Sequence, residues 1–189
     1  MLSLYCPLRR FEVSTKVLYL FDANVLITAN NTYYAIDQVK EYWEWLQYQG
    51  EAGNIKIPAE IMDEILAGQN NQKGKKNEDL LLLWIKRPVI KRALLFEEQV
   101  DQSRVAAVTE GGYAPDLTDT ELEEIGRDPF LIAYGMAGND RCVVTTEVSS
   151  PSKKRQNRKI PDVCKTFGVE CCTPFKVNRD LGFKTDWRP

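Results

Sequence analysis

The chain has 189 residues, of which 43% are hydrophobic and 28% are charged, and this balance suits one folded domain. It contains no histidine, which excludes Ser-His-Asp and Cys-His nucleophile chemistry, His-ligated zinc and His general bases. The formal net charge of −2 gives no global nucleic-acid signal. Any catalysis must therefore use carboxylates, hydroxyls or lysine.

The cysteines and the apolar segments exclude further classes of protein. The five cysteines are odd in number and lack paired zinc spacing, which argues against a disulfide framework or a zinc ribbon. No apolar run reaches the roughly 18 residues that a membrane helix needs, and the N-terminal segment lacks the order of a signal peptide. We therefore expect a cytoplasmic protein with an arm at residues 1–15 and one domain over residues 16–189.

The first element in chain order is a buried strand that ends at an acid. Residues 17–21 are all apolar, with β-branched and aromatic members, as in a strand covered on both faces. Asp22 follows, and an ionised carboxylate is costly to bury unless it is paired or binds a cation. Ligands of open α/β sheets bind at the carboxyl ends of the strands. Asp22 is therefore a candidate metal ligand.

Helices and a second strand follow in the first half of the chain. Apolar spacing predicts a helix over residues 36–50, whose aromatic face is core or, alternatively, a dimer contact. Residues 55–57 form a short strand, and Pro58 opens a helix that carries Glu64 and ends at Gly68. The polar stretch from Gly68 to Lys76 is predicted to be a mobile loop.

The middle and the end of the chain continue the alternation. Helices are predicted over residues 77–87, 89–108 and 116–126. Asp128 and Pro129 then suit the N-cap and N1 positions of another helix.

A second buried strand covers residues 141–146 and ends at Glu147, as the first strand ends at Asp22. A basic loop over residues 148–159 precedes a helix, a strand over residues 169–172 and a terminal helix. The expected fold is an α/β three-layer α/β/α sandwich with a parallel sheet of about four or five strands.

The acidic residues at these element ends predict a metal site. Strands that end in Asp22 and Glu147 would bring both carboxylates to one sheet edge, where Glu64 and Asp128 could join them from helices. Hard oxygen ligands of this kind suit Mg²⁺ or Mn²⁺. Such a metal can activate water for attack on a phosphodiester. The basic loop would hold the nucleic-acid backbone through Lys153, Lys154, Arg155 and Arg158.

Four segments of the chain resemble the motifs of the PIN-domain nucleases. Residues 20–27 are similar to the first motif, a strand-borne Asp followed by a small or polar residue. Residues 57–65 resemble the second, residues 128–133 the third, and residues 143–147 the fourth, in which the family more often has Asp than Glu. The resemblance extends from about residue 16 to residue 182 and suggests a divergent, Glu-containing branch.

The resemblance implies a metal-dependent endoribonuclease, often the toxin of a toxin–antitoxin pair with a small DNA-binding antitoxin, and often a homodimer. The implied metal ligands and catalytic residues are Asp22, Glu64, Asp128 and Glu147. The implied polar residues that line the site are Asn24 and Thr145 or Thr146.

The chain also departs from the family pattern. Ser149 and Ser150 stand where a further acid is usual, and Asp162 could replace it from the next helix. Glu60 and Asp63 compete with Glu64 for the same role. A structural interpretation remains for two features, since Asp128 suits a helix cap and a basic run is often a solvated loop.

Two other functions remain open. An inactive PIN-like module would bind RNA or a protein without cutting it. A phosphatase of the haloacid dehalogenase type also places an Asp after a buried strand, but it needs a second Asp two residues later, where this chain has Asn24. Nucleotide-binding enzymes are disfavoured because the sequence has neither a Gly-Lys-Ser/Thr phosphate loop nor a Gly-x-Gly-x-x-Gly turn.

Overall fold

A computed structural model describes residues 16–68 and 79–188. Its centre is a parallel sheet of five strands in the order β3-β2-β1-β4-β5. The strands are β1 (Leu18–Phe21), β2 (Ile55–Pro58), β3 (Leu95–Phe96), β4 (Arg141–Val144) and β5 (Glu170–Cys172). Helices flank this sheet, so the predicted three-layer α/β/α architecture is confirmed.

Ten α-helices lie within the described residues. They are α1 (Ala23–Thr28), α2 (Lys40–Glu51), α3 (Ala59–Gly68), α4 (Leu80–Ile85), α5 (Pro88–Leu94), α6 (Gln102–Ala107), α7 (Asp119–Ile125), α8 (Asp128–Gly135), α9 (Ile160–Thr166) and α10 (Pro174–Asp180). Wider π-helical turns extend α1 and α6, at Ala29–Tyr33 and Val108–Tyr113.

The central pair of strands fixes the position of the two acidic strand ends. β1 pairs with β4 so that Phe21 lies opposite Val144. Both residues are completely buried, as expected for strands that helices cover on both faces. Because the strands are parallel and in this register, Asp22 and Thr145 leave the sheet side by side.

The prediction of one helix over residues 89–108 is wrong, because strand β3 interrupts it. The chain instead forms α5, turns into the two-residue strand and later begins α6. Leu95 and Phe96 pair with Ile57 and Pro58 of β2. A short apolar run has no periodicity that distinguishes a helix from a strand. The pairing with the edge of β2 therefore determines that Leu95 and Phe96 form a strand.

Three helix starts differ from the sequence prediction. α2 begins at Lys40, and Ile36 lies before it, partly buried against the core. Pro58 belongs to the end of β2 and not to the first turn of α3. Asp128 is the first residue of α8, while Arg127 occupies the N-cap position. Helix ends commonly shift in this way because the terminal turn has few hydrogen bonds to define it.

The aromatic face of α2 is part of the core. Tyr42, Trp43 and Trp45 are almost fully buried, and the ring of Trp43 meets that of Trp84 edge to face at 4.8 Å. Such contacts stabilise a core beyond the burial of apolar area. The dimer contact considered for this face is therefore not needed to explain it.

Several predictions fall partly or wholly outside the described residues. The arm at residues 1–15 lies there, as does the mobile loop predicted for residues 68–76, apart from Gly68. Cys142, Cys164, Cys171 and Cys172 are free thiols, and Cys6 is outside the described part. Among the described helices, none has the length and apolar character that crossing a membrane requires.

The glycines of the turn at residues 108–113 give a test of the packing. A Cβ on Gly112 would lie 2.7 Å from Val163 Cγ1 on α9. Gly112→Ala should therefore lower the free energy of unfolding by about 1–3 kcal/mol, the usual cost of overpacking. Gly111→Ala is the control, because its Cβ would lie 3.5 Å from Phe167 Cζ, an ordinary contact. Urea unfolding measures both, and equal free energies would contradict the packing.

Candidate metal centre

Asp22 lies where β1 passes into α1 and is only 3% exposed. Its backbone N–H donates to the Val144 carbonyl at 2.9 Å, which continues the strand pairing by one residue. Its carboxylate accepts a hydrogen bond from Thr145 Oγ1 at 2.9 Å. The two central strands of the sheet therefore fix the position of the Asp22 side chain.

Thr145 also connects Asp22 with the acid that follows β4. Its Oγ1 accepts a hydrogen bond from the Glu147 backbone N–H at 3.1 Å. The Glu147 carboxylate accepts from Lys159 Nζ and from the Ile160 backbone N–H, both at 2.8 Å. Glu147 is thus close to the site but is held by the end of the basic loop.

Asp128 enters the site from the first turn of α8. Tyr113 OH donates to its Oδ2 at 3.2 Å. The Tyr113 ring is buried, and this burial, with the nearby Asp128 charge, raises the pKa of the phenol. Tyr113 therefore stays protonated and is available as a donor to Asp128.

Glu64 is the acid of α3 that faces the sheet edge. The residue as a whole is exposed, but the partial burial of its carboxyl group raises the pKa, and the charge of Asp22 raises it further. Asp63 is also exposed, and Glu60 lines a separate cavity with Glu98 and Tyr134. Glu64 is thus close enough to Asp22 for their charges to interact.

The four acids interact electrostatically around Asp128. Burial raises the pKa of Asp128 well above its usual range, and the charges of Asp22, Glu147 and Glu64 add to this effect. Burial likewise raises the pKa of Asp22, although the Thr145 hydrogen bond opposes the change. The four predicted acids are thus near enough for their charges to interact, and the raised pKa values of Asp22, Glu64 and Asp128 disfavour the simultaneous ionisation of these three.

A divalent cation fits the chemistry of this donor set. The site offers hard carboxylate oxygens, and a bound cation would favour the ionised forms that the protein alone disfavours. Within residues 16–68 and 79–188, no group of three or more His, Cys, Asp or Glu side chains has the arrangement of a ready-made metal site. Binding of one ion by all four carboxylates would require Glu147 to leave Lys159.

Asp162 has a different environment. Its carboxylate accepts hydrogen bonds from Ser149 Oγ at 2.5 Å and from the Ser150 backbone N–H at 2.7 Å. Burial alone would raise the pKa of Asp162, but these hydrogen bonds outweigh it and the net pKa is lowered. Asp162 thus fastens the loop after Glu147 to α9.

The cations of the basic loop separate into two groups. Arg155 pairs with Asp116 and Glu121, each at 2.7 Å, and has a positive φ of 53°. Arg158 donates to the Gly112 carbonyl and to Thr166 Oγ1, the latter at 2.9 Å. Lys153 and Lys154 are exposed to solvent. The arginines fasten the loop to the protein, while the lysines face the solvent.

The remaining predicted polar residues flank Asp22 and Thr145. Asn24 is exposed in the first turn of α1. Thr146 lines a narrow cleft with Tyr33 and Phe175. Neither residue touches an acid through a side-chain hydrogen bond found in the described residues.

Sequence reasoning did not select Lys159 or Tyr113 as site residues. Lys159 belongs to the basic run, but its pairing with Glu147 depends on how the loop folds back. Tyr113 lies between the helices predicted over residues 89–108 and 116–126. The two glycines before Tyr113 do not predict its contact with Asp128, because the π-helical turn that directs its hydroxyl there has no sequence signature.

Comparison with known proteins gives one match. Residues 19–185 match a protein family described as a domain of unknown function (DUF4411). The chain belongs to the DUF4411 family. All four acids and the five strands fall within this match, apart from Leu18. Searches of the curated proteins and of the solved structures find no match.

The raised carboxyl pKa values predict how stability depends on pH without metal. The folded state binds more protons than the unfolded chain at intermediate pH, so stability should fall as pH rises through the raised pKa values. In EDTA, the melting temperature of Asp128→Asn relative to wild type should therefore rise between pH ~5 and pH ~8.

The control is Asp63→Asn, which alters an exposed acid on α3. Its melting temperature relative to wild type should not change over the same interval. A difference for Asp128→Asn that is constant with pH would show that Asp128 titrates as an ordinary surface acid.

Proposed function

We propose that the chain is a metal-dependent endoribonuclease that hydrolyses RNA phosphodiester bonds. The observation that supports the proposal is the hydrogen-bonded link from Asp22 through Thr145 to Glu147 at the carboxyl ends of β1 and β4. Glu64 and Asp128 are near enough for their charges to interact with that of Asp22. Open α/β sheets bind ligands at the carboxyl ends of their strands. The four acids are also those that the resemblance to PIN-domain nucleases implies as ligands.

Asp22 and Asp128 would provide the principal ligands for Mg²⁺ or Mn²⁺, with Glu64 beside them. Such an ion supplies an activated water and stabilises the charge that develops on the phosphodiester. Thr145 orients the Asp22 carboxylate and Tyr113 orients that of Asp128. These hydrogen bonds restrict the rotation of both acids, as the supporting residues of metal ligands commonly do.

The basic loop suits the RNA backbone at its outer end. Lys153 and Lys154 are exposed and follow Glu147 in the same loop. Lys159 lies at the site itself, where release from Glu147 would leave its ammonium group for a phosphate. We further propose, from the resemblance alone, a toxin role with a small DNA-binding antitoxin and a homodimeric state.

One observation favours a second function, an inactive module that binds RNA or a protein. The ion pair between Lys159 and Glu147 already neutralises one of the four acids. If that pair persists, the site keeps three acids, and a cation bound there would lack a ligand. The distinction is whether the protein cuts RNA, which the next experiment measures.

The nuclease proposal predicts metal-dependent cutting that needs Asp22. Wild type should cleave single-stranded or structured RNA with Mn²⁺ or Mg²⁺ and not with EDTA. Asp22→Asn should reduce the rate by at least about 100-fold, because the variant removes a charged ligand while nearly keeping the side-chain shape. The products are measured on denaturing gels. Mn²⁺ should also raise the melting temperature of wild type more than that of the variant.

Asp63→Asn should cut at the wild-type rate. Equal cutting by wild type and Asp22→Asn would sink the nuclease proposal, since a contaminating enzyme would then explain the activity. RNA binding without any cutting would favour the inactive module. Hydrolysis of phosphate monoesters without RNA cutting would favour the phosphatase.

The two groups of basic side chains should respond differently to mutation. Affinity falls as salt rises, and Lys153→Ala should make the slope of log affinity against log salt shallower by about 0.7. The variant has one ammonium group fewer to neutralise a phosphate of single-stranded RNA. Lys154→Ala should act similarly. Arg155→Ala should instead lower the melting temperature, because it removes the ion pairs with Asp116 and Glu121. A larger change in salt slope for Arg155→Ala than for the lysine variants would contradict this division.

A further inference from the structure

An exposed aromatic pair lines the cleft that contains Thr146, the residue after Thr145. Tyr33, in the turn after α1, is 51% exposed, and Phe175, in the first turn of α10, is 40% exposed. Their rings meet edge to face at 5.1 Å. Exposed aromatic faces are the surfaces on which single-stranded nucleic acids stack their bases.

A buried amide lies in the cleft behind this pair. Asn178 of α10 is only 8% exposed, and its Oδ1 has no hydrogen-bond partner among the described residues. Its Nδ2 makes one long contact, 3.4 Å, with Tyr34 OH. A buried polar atom without a partner costs free energy, and a ligand that offers an N–H group would remove that cost.

The cleft adjoins the acids through the backbone. Val25 lies in the first turns of α1 after Asp22, and Thr146 directly follows Thr145, and both residues line the cleft. A nucleotide whose phosphate reaches the carboxylates could therefore place a neighbouring base between Tyr33 and Phe175.

We propose that the cleft between Tyr33 and Phe175 binds one unpaired base of the RNA strand, with Asn178 contacting the polar edge of that base. The proposal rests on the proposed function for the identity of the strand. The cleft is narrow in this structure, with a cavity of about 10 Å³, the space of a single water. Entry of a base thus requires the exposed rings to turn, a motion that surface side chains make within nanoseconds.

The test measures binding and cutting separately. Binding is followed by fluorescence anisotropy with labelled 2′-O-methyl ribonucleotide hexamers, intact or with one abasic position, in Mn²⁺. Phe175→Leu keeps the side chain apolar but removes the aromatic face, and should weaken binding of the intact hexamer by roughly 5- to 150-fold, the range of one base stack. Phe175→Trp should bind as wild type does.

The abasic hexamers identify the contact. One abasic position should weaken wild-type binding as much as Phe175→Leu does, and it should cost the variant nothing further, because both changes remove the same stack. Asn178→Ala should also weaken binding of the intact hexamer, and this effect should vanish at the same abasic position. The control is Tyr48→Leu, an exposed aromatic on α2 that packs against Trp187 and should not alter binding.

Several results would overturn the base site. These are unchanged hexamer binding by Phe175→Leu, no hexamer binding by wild type, or displacement of the hexamer by free nucleoside monophosphates at equal concentration. A change of oligomeric state in Phe175→Leu, with RNA binding intact, would make the face a contact between copies. Cutting by wild type with no effect of Phe175→Leu would leave the nuclease proposal standing and remove only the base site. If Phe175→Leu weakened hexamer binding but wild type cut no RNA, the nuclease proposal would fall and the base site would stand.

Discussion

The candidate site depends on the parallel pairing of β1 with β4. Phe21 lies opposite Val144, and the Asp22 N–H continues the pairing to the Val144 carbonyl. This register places the Asp22 carboxylate against the Thr145 hydroxyl. A shift of one residue would turn alternate side chains to the opposite face of the sheet and separate them. The core that fixes the register therefore also fixes the site.

The core must also offset the electrostatic cost of the acids. Burial and mutual repulsion raise the pKa values of Asp22, Glu64 and Asp128, so their ionised forms are less favourable in the folded chain than in water. Completely buried apolar residues on both central strands supply compensating stability. Stability given up at one point of a well-packed fold is typical of sites that bind or react.

The fold and the strand-end acids could be predicted because they depend on local patterns. An apolar run that stops at an acid is visible in the sequence, and parallel topology brings two such ends together whatever their separation along the chain. The strand Leu95–Phe96 could not be predicted because two residues have no periodicity. Tyr113 and Lys159 were equally hidden, because their contacts with Asp128 and Glu147 depend on how a π-helical turn and a loop fold back.

The presence of Glu instead of Asp at position 147 has a physical consequence. The longer side chain lets the carboxylate reach both Lys159 and the Ile160 N–H, while the Glu147 backbone N–H stays bonded to Thr145. Glu147 therefore joins the site to the start of α9. A cation that drew Glu147 inward would release Lys159. Binding of the cation would therefore also free the Lys159 ammonium group for a phosphate. The basic run thus contacts the candidate site through Lys159, while Lys153 and Lys154 face the solvent.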